Sequence, residues 1–226
     1  MTPPDDRLAA ELRGFGPVGI VAIAVILLGN IAGQPVSALL VLAWVWRSRT
    51  PWREIGYVRP RSWLGGLVIG IVAGCALKLV LKAIVMPLLG AEPVNHAYHY
   101  LVGNRAAIPG FALWLIVAGG LSEETIWRGY LFERLGKLLG QPFGRGARAK
   151  ALIVVLTSLL FAAGHYADQG VAGAGQAVCT GLVFGTTFAV TGRIWTLMCM
   201  HAAYDLLAYA IIYWDLESRV AHLVFQ

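Results

Sequence analysis

Three short runs place ionisable side chains inside otherwise apolar segments. The first is Leu121-Ser122-Glu123-Glu124-Thr125-Ile126-Trp127-Arg128, the second Phe161-Ala162-Ala163-Gly164-His165, and the third His201-Ala202-Ala203-Tyr204-Asp205. At membrane depth each such group costs about 2.5–3.5 kcal/mol even on lenient insertion scales, which makes them the first candidates for function. Helical spacing sorts them. Glu124 and Arg128 stand four apart, in the favoured order for an ion pair on one face. Glu123 is rotated about 100° from Glu124 on an α-helix, so one carboxylate can be neutralised while its neighbour faces elsewhere. His201 and Asp205 also stand four apart and share a face.

If these groups converge, they form a hydrolytic constellation with two chemical forms. In one, Glu123 and His165 hold a water and Glu123 takes its proton, in a site dry enough to favour a basic carboxylate. His201 and Asp205 then support the oxyanion on a peptide carbonyl, with Asp205 donating only if protonated and otherwise orienting His201. In the other, His165, His201, Glu123 and Asp205 supply ligands to a divalent metal such as zinc, which acidifies its bound water. The residue types alone leave both open. Ser122 lacks the Gly-x-Ser-x-Gly elbow of a serine nucleophile. Cys199, two residues from His201, lies on roughly the opposite helical face. Lys78 and Lys82 read as snorkelling side chains or as the end of an apolar segment. His96 and His99 read as part of an interfacial loop.

The elements that position these groups must be membrane helices. The chain has 226 residues, 58% apolar and 13% charged, with a mean hydropathy of +0.68, whereas about 25% charged is ordinary for a soluble domain. Soluble enzymes, disordered tails and disulfide scaffolds are excluded. Cys75, Cys179 and Cys199 all fall within apolar segments. Seven apolar segments are expected, near 15–33, 35–46, 63–89, 108–133, 150–167, 171–191 and 194–214. The second is short for a span unless tilted or re-entrant. Asp5, Asp6, Arg7, Glu11 and Arg13 precede the first apolar run, and no A-x-A-like site follows it. A retained first helix is the expectation.

The net charge of +6 is explained by orientation and contact with anionic lipid, without nucleic acid. Arg47, Arg49, Arg53, Arg59 and Arg61 cluster after the second segment, and Arg134, Lys137, Arg145, Arg148 and Lys150 after the fourth. An N-terminus inside puts both clusters in the cytoplasm. Trp44, Trp46, Trp52 and Trp63 read as an interfacial belt. Gly66, Gly70 and Gly74, and again Gly181 and Gly185, recur every fourth residue and predict close helix packing within the chain. By linear rise, Glu123 falls toward the cytoplasmic end of the fourth segment and His165 toward the opposite end of the fifth.

Taken together, the motifs resemble the CPBP family of intramembrane proteases, the CAAX-protease and bacteriocin-processing (Abi-like) group. Its pattern is Glu-Glu-x-x-x-Arg, Phe-x-x-x-His and His-x-x-x-Asn or Asp on separate membrane helices. Here these are Glu123, Glu124 and Arg128, then Phe161 and His165, then His201 and Asp205. The stretch Trp52-Arg53-Glu54-Ile55-Gly56-Tyr57-Val58-Arg59-Pro60 resembles the basic segment that precedes the family core. The resemblance implies an all-α membrane bundle with its site in a cavity between helices. It also implies water activation by Glu123 and His165, oxyanion stabilisation or metal ligation by His201 and Asp205, and supporting roles for Glu124, Arg128 and Phe161. Family members have been described both as metalloproteases and as glutamate-type proteases. The best-known cleave the last three residues from prenylated proteins, and bacterial members are linked to peptide processing or immunity. Asp205 stands where the prenyl-protein enzymes have Asn.

The expectation is thus an all-α, multi-pass protein of a bacterial-type cytoplasmic membrane. Residues 1–62 form an N-terminal helical hairpin and basic loop, 63–214 the catalytic core, and 215–226 a tail. The substrate is a peptide or membrane protein cut within or beside the bilayer. A non-catalytic immunity or assembly partner is the first alternative. A transporter is the second, disfavoured by the lack of an internal repeat.

Overall fold

The computed structural model describes residues 6–143 and 146–225, with the side chains of 141–143 left aside. The described residues form helices and no strands. Helix α1 (Arg7–Arg13) starts at Asp6, whose carboxylate accepts the Ala9 N–H. It bends by 61° into α2 (Pro17–Leu28) and its 3₁₀ extension. Helix α3 (Gln34–Ser48) returns, with proline in its first turn and Arg49 in the left-handed conformation after its last. A 3₁₀ turn (Trp52–Ile55) leads to α4 (Trp63–Leu88), whose N-cap Ser62 accepts the Gly65 N–H.

Helix α5 is one continuous rod built from Ile108–Trp114, a wide stretch of π-type bonding over Leu115–Tyr130, and Leu131–Phe143. The next rod, Ala147–Thr191, is broken at Gly170, where φ is 62° and ψ −159°. Forty-five residues would span roughly 67 Å if straight. The chain instead folds back there into α6 (147–169) and α7 (171–191), with Gly181 against Ser158 and Gly185 against Val154. That register is antiparallel. Helix α8 (Trp195–Tyr213) and the short α9 (Glu217–Ala221) complete the bundle.

Four of these rods are long and apolar enough to cross a membrane, five if the bent α1–α2 pair is one span. The seven expected segments all exist as helix, but α3 has only 15 residues and α6 and α7 share one folded rod. Polarity is inverted relative to a soluble protein. Leu64, Ile69, Val72 and Val190 are 63–79% exposed, while Glu124, Arg128 and Arg134 are at most 2% exposed. With no water outside to accept them, charged groups are placed in the protein interior and alkyl groups face lipid.

The glycine repeats pack inside the chain, as their spacing predicts. Helices α4 and α8 run parallel, with Gly66 beside Trp195 and Thr196, Gly70 beside Cys199, and Gly74 against the backbone of Met200 and Tyr204. A methyl group on Gly74 would collide with the Met200 carbonyl, which cannot swing aside. Gly74→Ala is therefore expected to cost about 1–3 kcal/mol of stability through overpacking. Gly175, where a methyl group would meet nothing within 4 Å, serves as the control, since Gly175→Ala is expected to be neutral or stabilising by up to about 1 kcal/mol. Thermal unfolding in detergent reads the difference, and equal midpoints for the two variants would defeat the packing assignment.

Two sequence expectations are corrected. Lys78 and Lys82 do not snorkel, because both side chains are turned inward and buried. Trp44 does not join the interfacial belt. It is 5% exposed, packs edge-on to Tyr130 and donates its indole N–H to the Leu12 carbonyl, whereas Trp46, Trp52 and Trp63 are exposed.

Candidate active site

The depth mismatch between Glu123 and His165 disappears because α5 continues to Phe143 instead of ending near 133. Helices α5 and α6 pack antiparallel, with Gly136 beside Ile153 and Trp127 edge-on to Phe161 at 5.7 Å. One turn further along α6, and one turn back along α5, this register brings His165 level with Glu123. Both line a cavity of about 900 Å³, together with His201 and Asp205.

Glu124 is fully buried and forms the centre of a charged cluster. Its Oε1 accepts Nη1 of Arg128 at 2.9 Å and Nδ1 of His201 at 2.7 Å. The Arg128 guanidinium also lies over the rings of Phe161 and Phe184, at 4.8 and 5.3 Å from their centroids. These faces favour a cation in a site without water. Phe161 thus packs the helix pair and at the same time carries His165, whose ring lies tilted against it with centroids 4.4 Å apart. The contact Nδ1···O=C between His165 and the Phe161 carbonyl is 3.0 Å. A carbonyl only accepts, so His165 Nδ1 carries the hydrogen, and the other nitrogen of a neutral ring is left with its lone pair.

The two glutamates approach His201 from different sides. Glu124 holds Nδ1, while Oε2 of Glu123 lies 3.7 Å and Oδ2 of Asp205 3.5 Å from Nε2. As the spacing predicts, Glu124 pairs with Arg128 while Glu123 faces the cavity. Both still come within reach of one imidazole, on a stretch of π-type bonding of a kind frequent at functional sites. Gly119 makes room for the Asp205 carboxylate, and a methyl group on Gly120 would come within 2.7 Å of the Ala202 methyl. Among the described residues no three His, Cys, Asp or Glu side chains are spaced to hold a metal ion, so the four candidate ligands do not meet as a ligand set in this arrangement.

The stretch Trp52–Pro60 is a brace. Ile55 is fully buried, and Gly56, at φ 82°, gives its carbonyl to the Ile194 N–H at 3.0 Å. The Tyr57 phenol meets Thr125 Oγ1 at 2.8 Å, and Thr125 in turn donates to the Leu121 carbonyl. Burial pushes the Tyr57 phenol above its ordinary pKa, with the Thr125 hydrogen bond opposing the shift. The phenol therefore stays protonated, as a donor to Thr125. Tyr57→Phe is expected to cost about 1 kcal/mol of stability, read by thermal unfolding, and an unchanged midpoint would count against the brace. Neither Tyr57 nor Thr125 stood out in the sequence. Tyr57 lay in the basic stretch that resembles a family element and Thr125 in the first ionisable run, and neither position carried a side-chain role.

Residues 105–207 match the family model for type II CAAX prenyl endopeptidases, Rce1-like. This is the family grouping that the three motifs resemble, and the matched segment contains all of them. No curated protein and no solved structure matches.

Proposed function

We propose that this chain, whose residues 105–207 match the Rce1-like family model, is an intramembrane endopeptidase whose reacting groups are Glu123, His165, His201 and Asp205. The observation that carries the reading is their convergence on one cavity from three helices, with Glu123 level with His165 and beside His201. A water between Glu123 and the free nitrogen of His165 loses its proton to Glu123 and attacks the peptide carbonyl. The oxygen becomes an oxyanion, to which His201, as imidazolium held by Glu124 at Nδ1, donates from Nε2. Asp205 orients that edge of the ring. The tetrahedral species collapses, the C–N bond breaks, and the proton held by Glu123 passes to the leaving amine. Glu124, Arg128 and Phe161 position these groups without touching the substrate.

The substrate is a peptide or membrane protein, reached within or beside the bilayer. The clustering of arginine and lysine favours an N-terminus inside a bacterial-type cytoplasmic membrane, with the basic loops against anionic lipid. Because the candidate donors do not converge as a metal site, every step is written on the chain's own side chains.

The test compares protein termini in membranes from cells making the wild type, Glu123→Ala or His165→Ala at matched abundance. New termini are expected with the wild type and with neither variant. Identical termini in all three membranes, with substrates of other proteases detected, would move the reading to a non-catalytic scaffold held by the same polar cluster.

A further inference from the structure

The cavity that holds the candidate site has two unlike ends. The basic clusters gather at one end of the bundle, where Lys137 reaches Glu54 at 3.4 Å and the Arg193 guanidinium donates to the Arg59 carbonyl at 3.1 Å. None of their described residues lines the cavity. Between that end and Glu123 lies a layer of Ile55, Ile126, Tyr130, Phe184 and Leu197, each at most 1% exposed and none of them in the lining. At the other end the lining runs out through the connections between helices. It includes Asn30 after α2, Pro93 and His96 after α4, Asp168 beside Gly170, and Glu217 after α8. His96 and Asp168 are exposed. The rim is fixed, since Glu217 accepts Lys82 Nζ at 2.8 Å and the Asn95 N–H at 3.1 Å. Along the flank, Leu27, Trp114 and Leu160 line the cavity with apolar groups, and the last two are turned toward lipid.

A peptide backbone carries polar groups that lipid cannot satisfy, and hydrolysis consumes water. Both therefore have to arrive through the polar, exposed end. That end has a side. Arginine and lysine clusters are retained in the cytoplasm, and the open end lies opposite them, with Arg105 and Arg219 against Glu92, Asp168, Asp215 and Glu217. We infer that the site is entered from the extracytoplasmic face, between the 91–98 stretch and the turn at Gly170, and is closed to the cytoplasm. Its substrates are then extracytoplasmic segments of membrane-anchored or exported polypeptides, and a cytoplasmic chain end is not one of them. This deepens the endopeptidase reading above and rests on it, and on an N-terminus inside.

The test has two arms, both on the full chain in its membrane. In the first, single cysteines are placed by His96→Cys at the rim, Ala208→Cys inside the cavity three residues beyond Asp205 on α8, and Arg59→Cys in a basic cluster. Cys75, Cys179 and Cys199 are replaced by Ala, or kept and their labelling subtracted if that background unfolds. A charged, membrane-impermeant maleimide is expected to label His96→Cys and Ala208→Cys in sealed cells, and Arg59→Cys only after lysis. The reverse pattern would put the mouth in the cytoplasm and overturn the inference. Ala208→Cys that labels only from the Arg59 side, or from neither side, would overturn it as well. In the second arm, a library of charged, dye-labelled peptides is added to sealed vesicles of either orientation. Turnover is expected in right-side-out vesicles, is lost in inside-out vesicles until detergent opens them, and is absent with Glu123→Gln. Turnover in sealed inside-out vesicles would overturn the inference. No turnover in any preparation, with labelling as expected, sinks the endopeptidase reading and leaves the mouth where labelling puts it.

Discussion

Purified Glu123→Gln is expected to lose between about 10² and 10⁴ in kcat, the range for removing a general base, while its thermal midpoint stays near that of the wild type. The reason is geometric. Glu123 faces the cavity and makes only a long approach to His201, 3.7 Å from Nε2, so the fold does not depend on its charge. The neighbouring residue should behave in the opposite sense. Glu124→Gln removes the one carboxylate between Arg128 and His201 Nδ1, and its first effect is expected on stability. Two adjacent glutamates, isosterically neutralised, thus separate turnover from folding. A Glu123→Gln protein with undiminished turnover would remove Glu123 from the chemistry.

Arg128→Leu is expected to destabilise the protein by about 3–5 kcal/mol, the cost of leaving one member of a buried charge pair without its partner. Glu124 is fully buried, Arg128 is 2% exposed, and Glu124 Oε2 already lacks a hydrogen-bond partner among the described residues. Loss of the guanidinium would leave the carboxylate with His201 alone and empty the space over Phe161 and Phe184. The double variant Glu124→Leu with Arg128→Leu is expected to recover part of the stability, because paired burial is restored to neutral burial. It should remain inactive, since His201 has lost the group that holds its ring. Thermal unfolding and peptide cleavage on the single and double variants read both effects. A single variant as stable as the wild type would show that the pair is not buried as described.

The members of the candidate site could be picked out before its geometry. Glu123, Glu124, Arg128, His165, His201 and Asp205 are ionisable residues in apolar segments, and the bilayer penalises such residues strongly enough that their presence is informative without a contact map. The glycine repeats were legible for a related reason, since close backbone approach in lipid requires small residues at helical spacing. Pairings were less legible. Glu124 meets Arg128 and His201 lies beside Asp205, as their spacing predicts, but the sequence did not show that His201 is also held by Glu124 and approached by Glu123. The cause is the wide stretch Leu115–Tyr130, whose turn differs from the 3.6 residues assumed for an α-helix. Hydropathy carries no signal for that difference. Lys78 and Lys82 were misread because a lysine near the end of an apolar run has the same sequence context whether it reaches outward or inward.

The amino-acid sequence by itself determined the class of solvent, the helical architecture and the identity of the ionisable groups, because each follows from the local cost of placing polar atoms in lipid. Only the tertiary structure decided which of those groups meet. The antiparallel register of α5 against α6 brings His165 level with Glu123, and the fold-back at Gly170 packs α7 against α6. The Lys82–Glu217 link joins residues 135 apart along the chain, where no local pattern relates one to the other. Contacts between helices depend on their register and rotation against one another, and those are set by packing across the whole bundle.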